Sequence, residues 1–391
     1  GFLGHKIGGW REHGCVHRAG FQGKKPRGSH AESQDGDIPA SRRRLYLTML
    51  GVCGTDKDLP MLEAMRRRLR HLVHFIDRRQ RKPIYTDFED LIGSEADVVL
   101  PGFVNSHHHV GLTPFQLGSP DYPLELWFAS RMAARDVPPY LDTLYSAFEM
   151  LESGITTVQH LHGWRVGPIA RVQAIAEQIL KAYQDIGMRV SYSYALRDQN
   201  RLVYEADEDF AKRLPAGLAS QVAAYLEAQV IPVEDHLSLF ADLWERWNHQ
   251  GRIRIQLAPA NLHWCSDKAL KALQEQATKY GVGMHMHLVE TAYQQEYAQR
   301  RTGMTAAAYL EDLGLLGPHM TIGHGVWLTE ADVERVAATG TMICHNASSN
   351  LRLRSGVAPL NHWAARGVRV AMGLDEAGIN DDRDMLQEMR M

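Results

Sequence analysis

The pattern of hydrophobic and polar residues changes near residue 97 of the chain. Beyond it, short apolar runs typical of buried strands alternate with longer stretches whose apolar residues recur at helical spacing. Eight strands are predicted: Val98–Asn105, Ile155–His160, Arg189–Ala195, Arg252–Ala258, Val282–Leu288, Met320–His324, Thr341–His345 and Val368–Gly373. The predicted helices between most of them are Leu141–Leu151, Ile169–Ile186, Leu237–His249, Asp267–Tyr280, Ala306–Leu313 and Glu330–Ala338. Because parallel strands need crossover connections, usually helical, this alternation favours an α/β fold, a TIM-like (β/α)8 barrel.

The residues before the barrel give a weaker signal. We divide the chain into an N-terminal segment of uncertain structure, 1–97, and a barrel domain, 98–391. Within the first segment, Leu59–Arg81 places apolar residues at helical spacing among many arginines. We interpret this stretch as a helix with a solvated flank, and a polyanion-binding face is the alternative.

Composition and charge narrow the class of protein. The 391 residues are 45% hydrophobic and 23% charged, which is ordinary for a soluble globular enzyme. A net charge of −3 gives no reason to expect a nucleic acid or a membrane surface as partner. The four cysteines contain no Cys-x-x-Cys pair, which fits a reducing cytoplasm. We therefore expect a cytoplasmic protein that binds a small molecule and forms a homo-oligomer.

Imidazoles and carboxylates cluster where predicted strands end. Side chains alternate along a strand, so His107 and His109 share one face while His108 points to the other. Further candidates follow the fifth, sixth and eighth strands: His285, His287, Glu290, His324 and Asp375. A parallel barrel collects the carboxyl ends of its strands at one end. Taken singly, each residue fits a hydrogen-bonded core histidine or a helix-capping aspartate, but together they predict a nitrogen and oxygen site for zinc or iron.

The motifs around these residues occur in an order that resembles a known superfamily. They are Pro-Gly-Phe-Val-Asn-Ser-His-His-His at 101–109, His-Leu-Val-Glu-Thr at 287–291, Gly-His-Gly at 323–325, Cys-His-Asn-Ala-Ser-Ser-Asn-Leu-Arg-Leu at 344–353, Gly-Val-Ala-Pro-Leu at 356–360 and Met-Gly-Leu-Asp at 372–375. The chain from residue 98 onward resembles the amidohydrolase superfamily. The likeness is to its cytosine-deaminase-like branch, which includes S-adenosylhomocysteine/methylthioadenosine deaminases and triazine hydrolases.

The resemblance implies a role for each of these residues. Four of them match the ligands of one divalent metal ion, with zinc expected and iron as the alternative: His107, His109, His287 and Asp375. Glu290 matches the proton-shuttling glutamate, and His324 matches the histidine that contacts the attacking water or the developing oxyanion. Asp375 also accepts the proton that the attacking water loses. No lysine follows the fourth strand, where binuclear members carry one, so a mononuclear site is implied.

The implied reaction is hydrolytic deamination of a nitrogen heterocycle of purine, pyrimidine or triazine type by a metal-activated water. One alternative keeps the site but removes chloride or an alkylamine, or opens a cyclic amide. A second alternative is a truncated, catalytically silent relative, since the barrel lacks its last helix and the C-terminal part of the usual small β domain. Three positions depart from the family. Ala260 replaces a substrate-contacting histidine, and Glu376 replaces the glycine that usually follows the last ligand. Leu126 precedes Trp127 where the family has a glutamate, and Glu125 is one place early.

Residues on the substrate side are predicted only from their position after strands one, three and four. They are Gln116, Trp127, Arg197, Asn261 and His263. Arg197 is suited to a substrate carboxylate or phosphate, with a surface ion pair as the alternative. Trp127 is suited to stacking on a heterocycle, with a core aromatic as the alternative.

Overall fold

The structure, a computed structural model, describes residues 100–109, 111–135, 137–163, 167–249, 251–376 and 380–391, together with two short strands nearer the N-terminus. Those two strands, Ile76–Asp77 and Lys82–Pro83, pair antiparallel. Ile76–Asp77 is therefore a strand where the spacing of Leu59–Arg81 predicts a helix. The rest of that predicted helix and of the segment 1–97 lies outside the described residues.

Eight parallel strands form the central sheet, each paired with the next strand along the chain. They are β1 Phe103–His108, β2 Ile155–His162, β3 Arg189–Leu196, β4 Ile253–Pro259, β5 Met284–Leu288, β6 Met320–His324, β7 Met342–His345 and β8 Arg369–Met372. This order confirms the predicted α/β barrel. Each strand overlaps its predicted segment, and the largest shift is in β1, which begins after the Pro101-Gly102 pair.

Helices lie between the strands. They are α1 Leu124–Met132, α2 Pro139–Glu152, α3 Ile169–Ile186, α4 Asp207–Lys212, α5 Ala216–Glu227, α6 Val233–Trp247, α7 Asp267–Tyr280, α8 Ala292–Thr302, α9 Ala306–Asp312, α10 Glu330–Thr339, α11 Ala347–Arg352, α12 Leu360–Ala365 and α13 Met385–Glu388. The predicted bounds of α3 and α7 agree with the structure. No helix among the described residues is long and apolar enough to cross a membrane.

Local sequence signals explain where these helices begin and end. The Ser266 hydroxyl accepts a hydrogen bond from the Ala269 N–H at the start of α7, and Gly281 ends that helix in the left-handed conformation, with φ of 63°. Thr329 and Asp332 form a reciprocal capping box at the start of α10. Such caps satisfy backbone groups that the helix itself leaves unpaired.

The first and last strands meet through side chains and one backbone bond. The Ser106 hydroxyl donates to the Met372 carbonyl at 2.6 Å, and the Leu374 N–H donates to the Asn105 Oδ1 at 3.0 Å. Just beyond, the Asp375 N–H donates to the His107 carbonyl at 2.8 Å. Two segments 268 residues apart in the chain are thereby held side by side at the carboxyl end of the barrel.

The apolar core follows from the alternation of strands and helices. A continuous cluster of buried residues fills the space around the sheet, with contributions from most of the strands and long helices. Its largest fully buried members include Trp363, Tyr183 and Tyr192. A smaller cluster near the carboxyl ends of the strands contains Trp127 and Trp264. The barrel is therefore a packed scaffold whose polar residues collect at one end.

Gly373 provides a test of the contact between β1 and β8. A methyl group on Gly373 would lie 2.6 Å from the His107 Cβ and 2.7 Å from the Cys344 Sγ. We expect Gly373→Ala to lower the free energy of unfolding by about 1–3 kcal/mol, because a packed core does not accept the extra methyl group. Thermal or urea unfolding measures the change.

Gly217, which lies in α5, is the matched control. A methyl group there meets no atom within 4 Å. Gly217→Ala is expected to leave stability unchanged or to raise it by about 0.5–1 kcal/mol, since alanine favours a helix more than glycine does. Equal effects of the two substitutions would contradict the close approach of the strands at Gly373.

Candidate metal centre

Three imidazoles and one carboxylate converge at the carboxyl end of the barrel. The His109 Nε2 lies 3.1 Å from the Nε2 atoms of both His107 and His287. The Asp375 Oδ1 lies 3.2 Å from the His109 Nε2 and 3.6 Å from the His107 Nε2. The four side chains are between 0% and 9% exposed. As alternation predicts, His108 points away from this cluster and packs against His160.

These separations match the dimensions of a tetrahedral zinc site. Zinc–ligand distances of about 2.0–2.1 Å place the ligand atoms at the corners of a tetrahedron whose edges are about 3.3–3.4 Å. The four atom–atom distances above span 3.1–3.6 Å. Two overlapping triads satisfy the spacing for a shared ion, His107–His109–Asp375 and His107–His287–His324. A divalent cation therefore fits between these atoms without a large movement of the side chains.

The protons on the ring nitrogens support the same conclusion. The Nδ1 atoms of His109 and His287 lie 2.6 and 2.8 Å from the carbonyl oxygens of Leu161 and Ala260. A carbonyl only accepts, so each of these Nδ1 atoms carries a hydrogen. In the neutral rings the Nε2 lone pairs then face each other and the Asp375 carboxylate. Electron-pair donors in such close contact are stabilised by a cation between them, and the donor set suits zinc or iron.

Unusual backbone conformations occur at the ends of β5, β6 and β8. Val289, His324 and Asp375 have positive φ values of 42°, 73° and 55°. Non-glycine residues rarely adopt this region, and a β-branched valine almost never does. Strain of this kind collects at functional sites, where the surrounding structure maintains it. Here the strained residues are His324 and Asp375 themselves and Val289, which directly precedes Glu290.

The pKa of Asp375 and the pKa values of the neighbouring imidazoles depend on one another. Burial opposes ionisation of Asp375, but His107 and His109 outweigh it and hold its pKa well below the usual range. Burial likewise tends to lower the pKa of His109, but the Asp375 carboxylate reverses the direction and raises it. For His107 and His287 burial dominates, and both pKa values lie well below the ordinary value. Neutral imidazoles, as these directions favour for His107 and His287, beside an ionised carboxylate are the protonation states that bind a metal, and His109 releases any proton it holds when the metal binds.

Glu290 follows β5 and lies on the edge of the cluster. Its carboxyl group is 4% exposed and accepts a hydrogen bond from the Ser355 hydroxyl at 3.1 Å. Burial raises the pKa of Glu290 to about 7; nearby, His324 lowers it and Asp375 raises it further. A carboxyl group with this pKa gains and loses a proton readily at neutral pH, as general acid–base catalysis requires.

His324 lies between Glu290 and Asp375. Its Nδ1 is 2.8 Å from the Asn350 Oδ1, which fixes the ring orientation. Its Nε2 lies 3.6 Å from the Glu290 carboxylate and 3.8 Å from the Asp375 carboxylate. Among the described residues this Nε2 has no hydrogen-bond partner, although it is fully buried. The free nitrogen is directed at the space shared by the two carboxylates.

Several polar residues that support the cluster have no role in the sequence predictions. The Ser349 hydroxyl donates to the Asp375 Oδ2 at 2.6 Å, and the Gln294 Oε1 accepts from the Glu290 N–H at 3.0 Å. Ser349 and Asn350 belong to the 344–353 motif, so the motif marked the segment without revealing which side chains make contact. Gly323 supports the cluster by having no side chain, because an added side chain at this position would contact the His107 ring.

The predicted substrate-side residues occupy different environments. Gln116 is exposed, and its amide oxygen accepts from the Thr113 N–H at 2.8 Å. Trp127 is 3% exposed and packs in the smaller apolar cluster with Phe128 and Trp264, which favours the core-aromatic alternative. Asn261 is buried, and its amide donates to the Gln294 Oε1 at 3.1 Å.

Arg197 and His263 both contact Trp264. The Arg197 guanidinium lies over the Trp264 ring at 3.9 Å, and burial lowers the pKa of Arg197 to about 10. The His263 ring centroid lies 4.3 Å from that of Trp264, and burial holds the pKa of His263 well below its ordinary value. Trp264 in turn lies 6.4 Å from the His287 ring. Arg197, His263 and Trp264 therefore form one aromatic and cationic group of side chains next to the metal cluster.

Comparison with protein families identifies the chain. Residues 98–391 match the Amidohydrolase family. The chain belongs to this family. The matched residues coincide with the barrel domain that the sequence predicts. They include all four residues of the cluster described above, His107, His109, His287 and Asp375.

Similar curated proteins are named as deaminases. The chain is 30% identical over 311 residues to a 5-methylthioadenosine/S-adenosylhomocysteine deaminase of Desulfitobacterium hafniense, which covers 77% of this chain and 62% of the relative. It is 28% identical over 327 residues to a 5'-deoxyadenosine deaminase of Methanopyrus kandleri, covering 82% and 67% respectively. The chain therefore spans about 62% of the length of the first relative.

Solved structures share the barrel. An atrazine chlorohydrolase of Arthrobacter aurescens complexed with zinc aligns with a TM-score of 0.64 at 20% identity, over 74% of this chain and 63% of that one. An adenosine deaminase of Xanthomonas campestris with bound zinc aligns with a TM-score of 0.60 at 23% identity, over 74% and 59%. At these identities the alignments support the fold.

Zinc binding is testable by thermal unfolding. Adding zinc to metal-free protein is expected to raise the melting temperature, because a ligand that binds only the folded state stabilises it by about 2.7 kcal/mol at 100 times its Kd. Magnesium is the control, since it prefers oxygen ligands. His109→Ala removes the nitrogen that contacts three other members of the cluster and is expected to abolish the zinc-dependent shift. A shift retained in that variant would contradict the proposed site.

Proposed function

We propose that the protein is a metal-dependent hydrolase that deaminates a nitrogen heterocycle of purine, pyrimidine or triazine type. The observation that carries the proposal is the position of Glu290: a buried carboxyl group with a pKa of about 7, adjacent to the candidate metal cluster. Deamination of an aromatic ring needs water activated on one side and a proton delivered to the ring nitrogen on the other. Glu290 is suited to the second task.

The donor set supports a single zinc ion, with iron as the alternative. The residues that would hold it are His107, His109, His287 and Asp375, through the atoms that converge in the structure. When bound, a divalent ion lowers the pKa of a coordinated water to about 7, so that hydroxide is available at neutral pH.

The proposed proton transfers use the carboxylates on either side of His324. Asp375 accepts the proton that the attacking water loses, and the Ser349 hydroxyl orients its second oxygen. Glu290 delivers a proton to the ring nitrogen next to the attacked carbon, with Ser355 holding the carboxyl group in position. His324 directs its Nε2 at the oxygen that develops charge and stabilises it as a hydrogen-bond donor when both ring nitrogens carry hydrogen, because Asn350 already holds the Nδ1 hydrogen. Asp375 then passes its proton to the amino group, which leaves as ammonia, and Glu290 takes back a proton from the added hydroxyl group as the carbonyl forms.

Names of relatives support a heterocyclic substrate but leave its identity open. The curated relatives are named as deaminases of adenosine-type molecules. Ala260 here supplies only its backbone carbonyl, which fixes His287, where adenosine-type deaminases place a substrate-contacting histidine. Glu376, in place of the usual glycine, is 2% exposed and lies 3.4 Å from the Arg131 Nε. Both differences alter the surroundings of the site.

The alternatives predict different products. Removal of chloride or an alkylamine, or opening of a cyclic amide, uses the same metal and water and releases no ammonia. A catalytically silent barrel binds metal without turnover. The homo-oligomer and the cytoplasmic location remain predictions that the described residues do not test.

Glu290→Gln is the most informative variant. In a panel of aminated purines, pyrimidines and triazines with zinc supplied, the native protein is expected to release ammonia. The variant is expected to lose about 100-fold to 10,000-fold in kcat, the usual contribution of a positioned proton donor. Because Glu290 is outside the proposed ligand set, zinc content should remain at one ion per chain, as measured by elemental analysis.

Three outcomes would count against the proposed reaction or against the role of Glu290 in it. Turnover by the variant at the native rate would exclude the proton shuttle. Release of chloride or alkylamine without ammonia by the native protein would favour the alternative leaving groups. Zinc binding without turnover of any member of the panel would favour the silent barrel.

The pH dependence of the reaction provides an independent prediction. The groups that face Glu290 are His324, which lowers its pKa, Asp375 and Glu125, which raise it, and the Ser355 hydroxyl, but burial is the largest effect and places the pKa at about 7. Only the protonated carboxyl group donates. The rate is therefore expected to fall as the pH rises through about 7, and Glu290→Gln should remove that descending limb. A rate that rises steadily from pH 6 to pH 9 would contradict the assignment.

A further inference from the structure

A fourth imidazole lies behind the metal cluster. The His285 Nε2 is 2.5 Å from the Nδ1 of His107, and the two ring centroids are 4.8 Å apart. Both rings are buried, with exposures of 1% and 0%. His285 lies two residues before His287 on β5 and on the same face of the strand. It therefore joins one proposed ligand to the strand that carries another.

The position of His285 excludes it from the ligand set and suggests another role. It approaches the Nδ1 of His107, whereas the metal cluster is formed around the Nε2 of that ring. An imidazole that binds a metal through Nε2 keeps its hydrogen on Nδ1, and that hydrogen needs an acceptor. In His109 and His287 the acceptors are the backbone carbonyls of Leu161 and Ala260. In His107 the corresponding position is occupied by the His285 Nε2.

We propose that His285 is a positioning residue that accepts the Nδ1 hydrogen of His107 and so directs the His107 Nε2 lone pair at the metal ion. This inference rests on the proposed metal site and deepens it. In this arrangement the hydrogen of the neutral His285 ring is on its own Nδ1. That nitrogen is buried and has no hydrogen-bond partner among the described residues. An unpaired buried N–H is uncommon and costs free energy, which the orientation of His107 toward the ion has to offset.

A hydrogen bond donated in the opposite direction, from His285 to His107, would prevent His107 from binding the metal ion. If His285 donated its Nε2 hydrogen to His107, the hydrogen of the neutral His107 ring would lie on its Nε2, directed into the cluster. That nitrogen lies 3.1 Å from the His109 Nε2 and 3.6 Å from the Asp375 carboxylate. A hydrogen there would block coordination. The two directions therefore predict opposite effects of His285 on metal affinity.

The role of His285 can be tested by substitution, because it is a side chain whereas the other two acceptors are backbone carbonyls. Substitution cannot remove the carbonyls that orient His109 and His287, but it can remove the imidazole behind His107. His285→Leu fills similar space without an acceptor. His285→Gln places a carbonyl oxygen near the position of the imidazole Nε2. His236→Leu is the matched control, since His236 is a buried histidine that stacks on Tyr194, at 5.2 Å, away from the cluster.

The experiment measures the zinc affinity of metal-free full-length chains by competition with a chromophoric chelator. His285→Leu is expected to bind zinc about 10-fold to 100-fold more weakly than the native protein, the usual effect of losing such an outer partner. His285→Gln is expected to recover most of that loss, and His236→Leu to bind like the native protein. Circular dichroism of the metal-free proteins checks that each variant is folded.

Each outcome decides between the possibilities. Native affinity in His285→Leu, or stronger binding, overturns the inference. An equal loss in the Leu and Gln variants also overturns it, because the packing of the ring rather than the acceptor would then matter. Should His285→Leu fail to fold, the comparison of His285→Gln with His285→Asn replaces it, since the shorter amide does not reach His107; equal affinities there would reject the inference. If the native protein binds no zinc, the metal site itself is wrong.

Discussion

The candidate site depends on close contacts between electron-pair donors, which a cation would stabilise. Hydrogens held on the Nδ1 atoms of His109 and His287 leave their Nε2 lone pairs 3.1 Å apart and next to the Asp375 carboxylate. Burial excludes the water that would otherwise screen these atoms, so the energetic need for a positive charge is large. The same burial raises the pKa of Glu290 to about 7. The proposed metal affinity and the proposed proton transfer would thus be two consequences of one dry, polar pocket at the end of the barrel.

The barrel provides the close approach that makes these contacts possible. His107 and Asp375 lie at opposite ends of the domain sequence, and the bond from the Asp375 N–H to the His107 carbonyl sets them side by side. Left-handed backbone at Val289, His324 and Asp375 turns the chain where β5, β6 and β8 end. A parallel barrel brings the ends of all its strands to one face, so residues from several strands reach the same point. The strain at these turns is offset by the packed core beneath them.

Much of the fold and of the candidate site can be predicted from the sequence, for identifiable reasons. Buried strands have apolar runs, and the helix Asp267–Tyr280 has a serine cap and a terminal glycine, so both leave strong local signals. His107, His109, His287 and Asp375 stand at the carboxyl ends of three such strands, which suggests that they converge. The motif order supplied the family, which the match of residues 98–391 confirms.

Other features depend on contacts between distant parts of the chain and leave no local pattern. The helices Asp207–Lys212 and Ala216–Glu227 were not predicted, because the first has few apolar residues and those of the second are mostly exposed. Ser349, Asn350 and His285 act through partners 26 to 178 residues away, so spacing cannot assign them. Gly323 makes room for the His107 ring, a contact that its position beside His324 in the sequence does not reveal. Residue type shows which atoms are available, and only the folded chain shows which of them meet.

X-ray absorption spectroscopy at the zinc edge tests the central claim most directly, because it counts the ligands of the bound ion. The account predicts three imidazole nitrogens and at least one oxygen at about 2.0–2.1 Å from a single zinc ion per chain. A sulfur ligand at about 2.3 Å, as from Cys344, or fewer than two imidazoles would show that the ion binds elsewhere and would contradict the account.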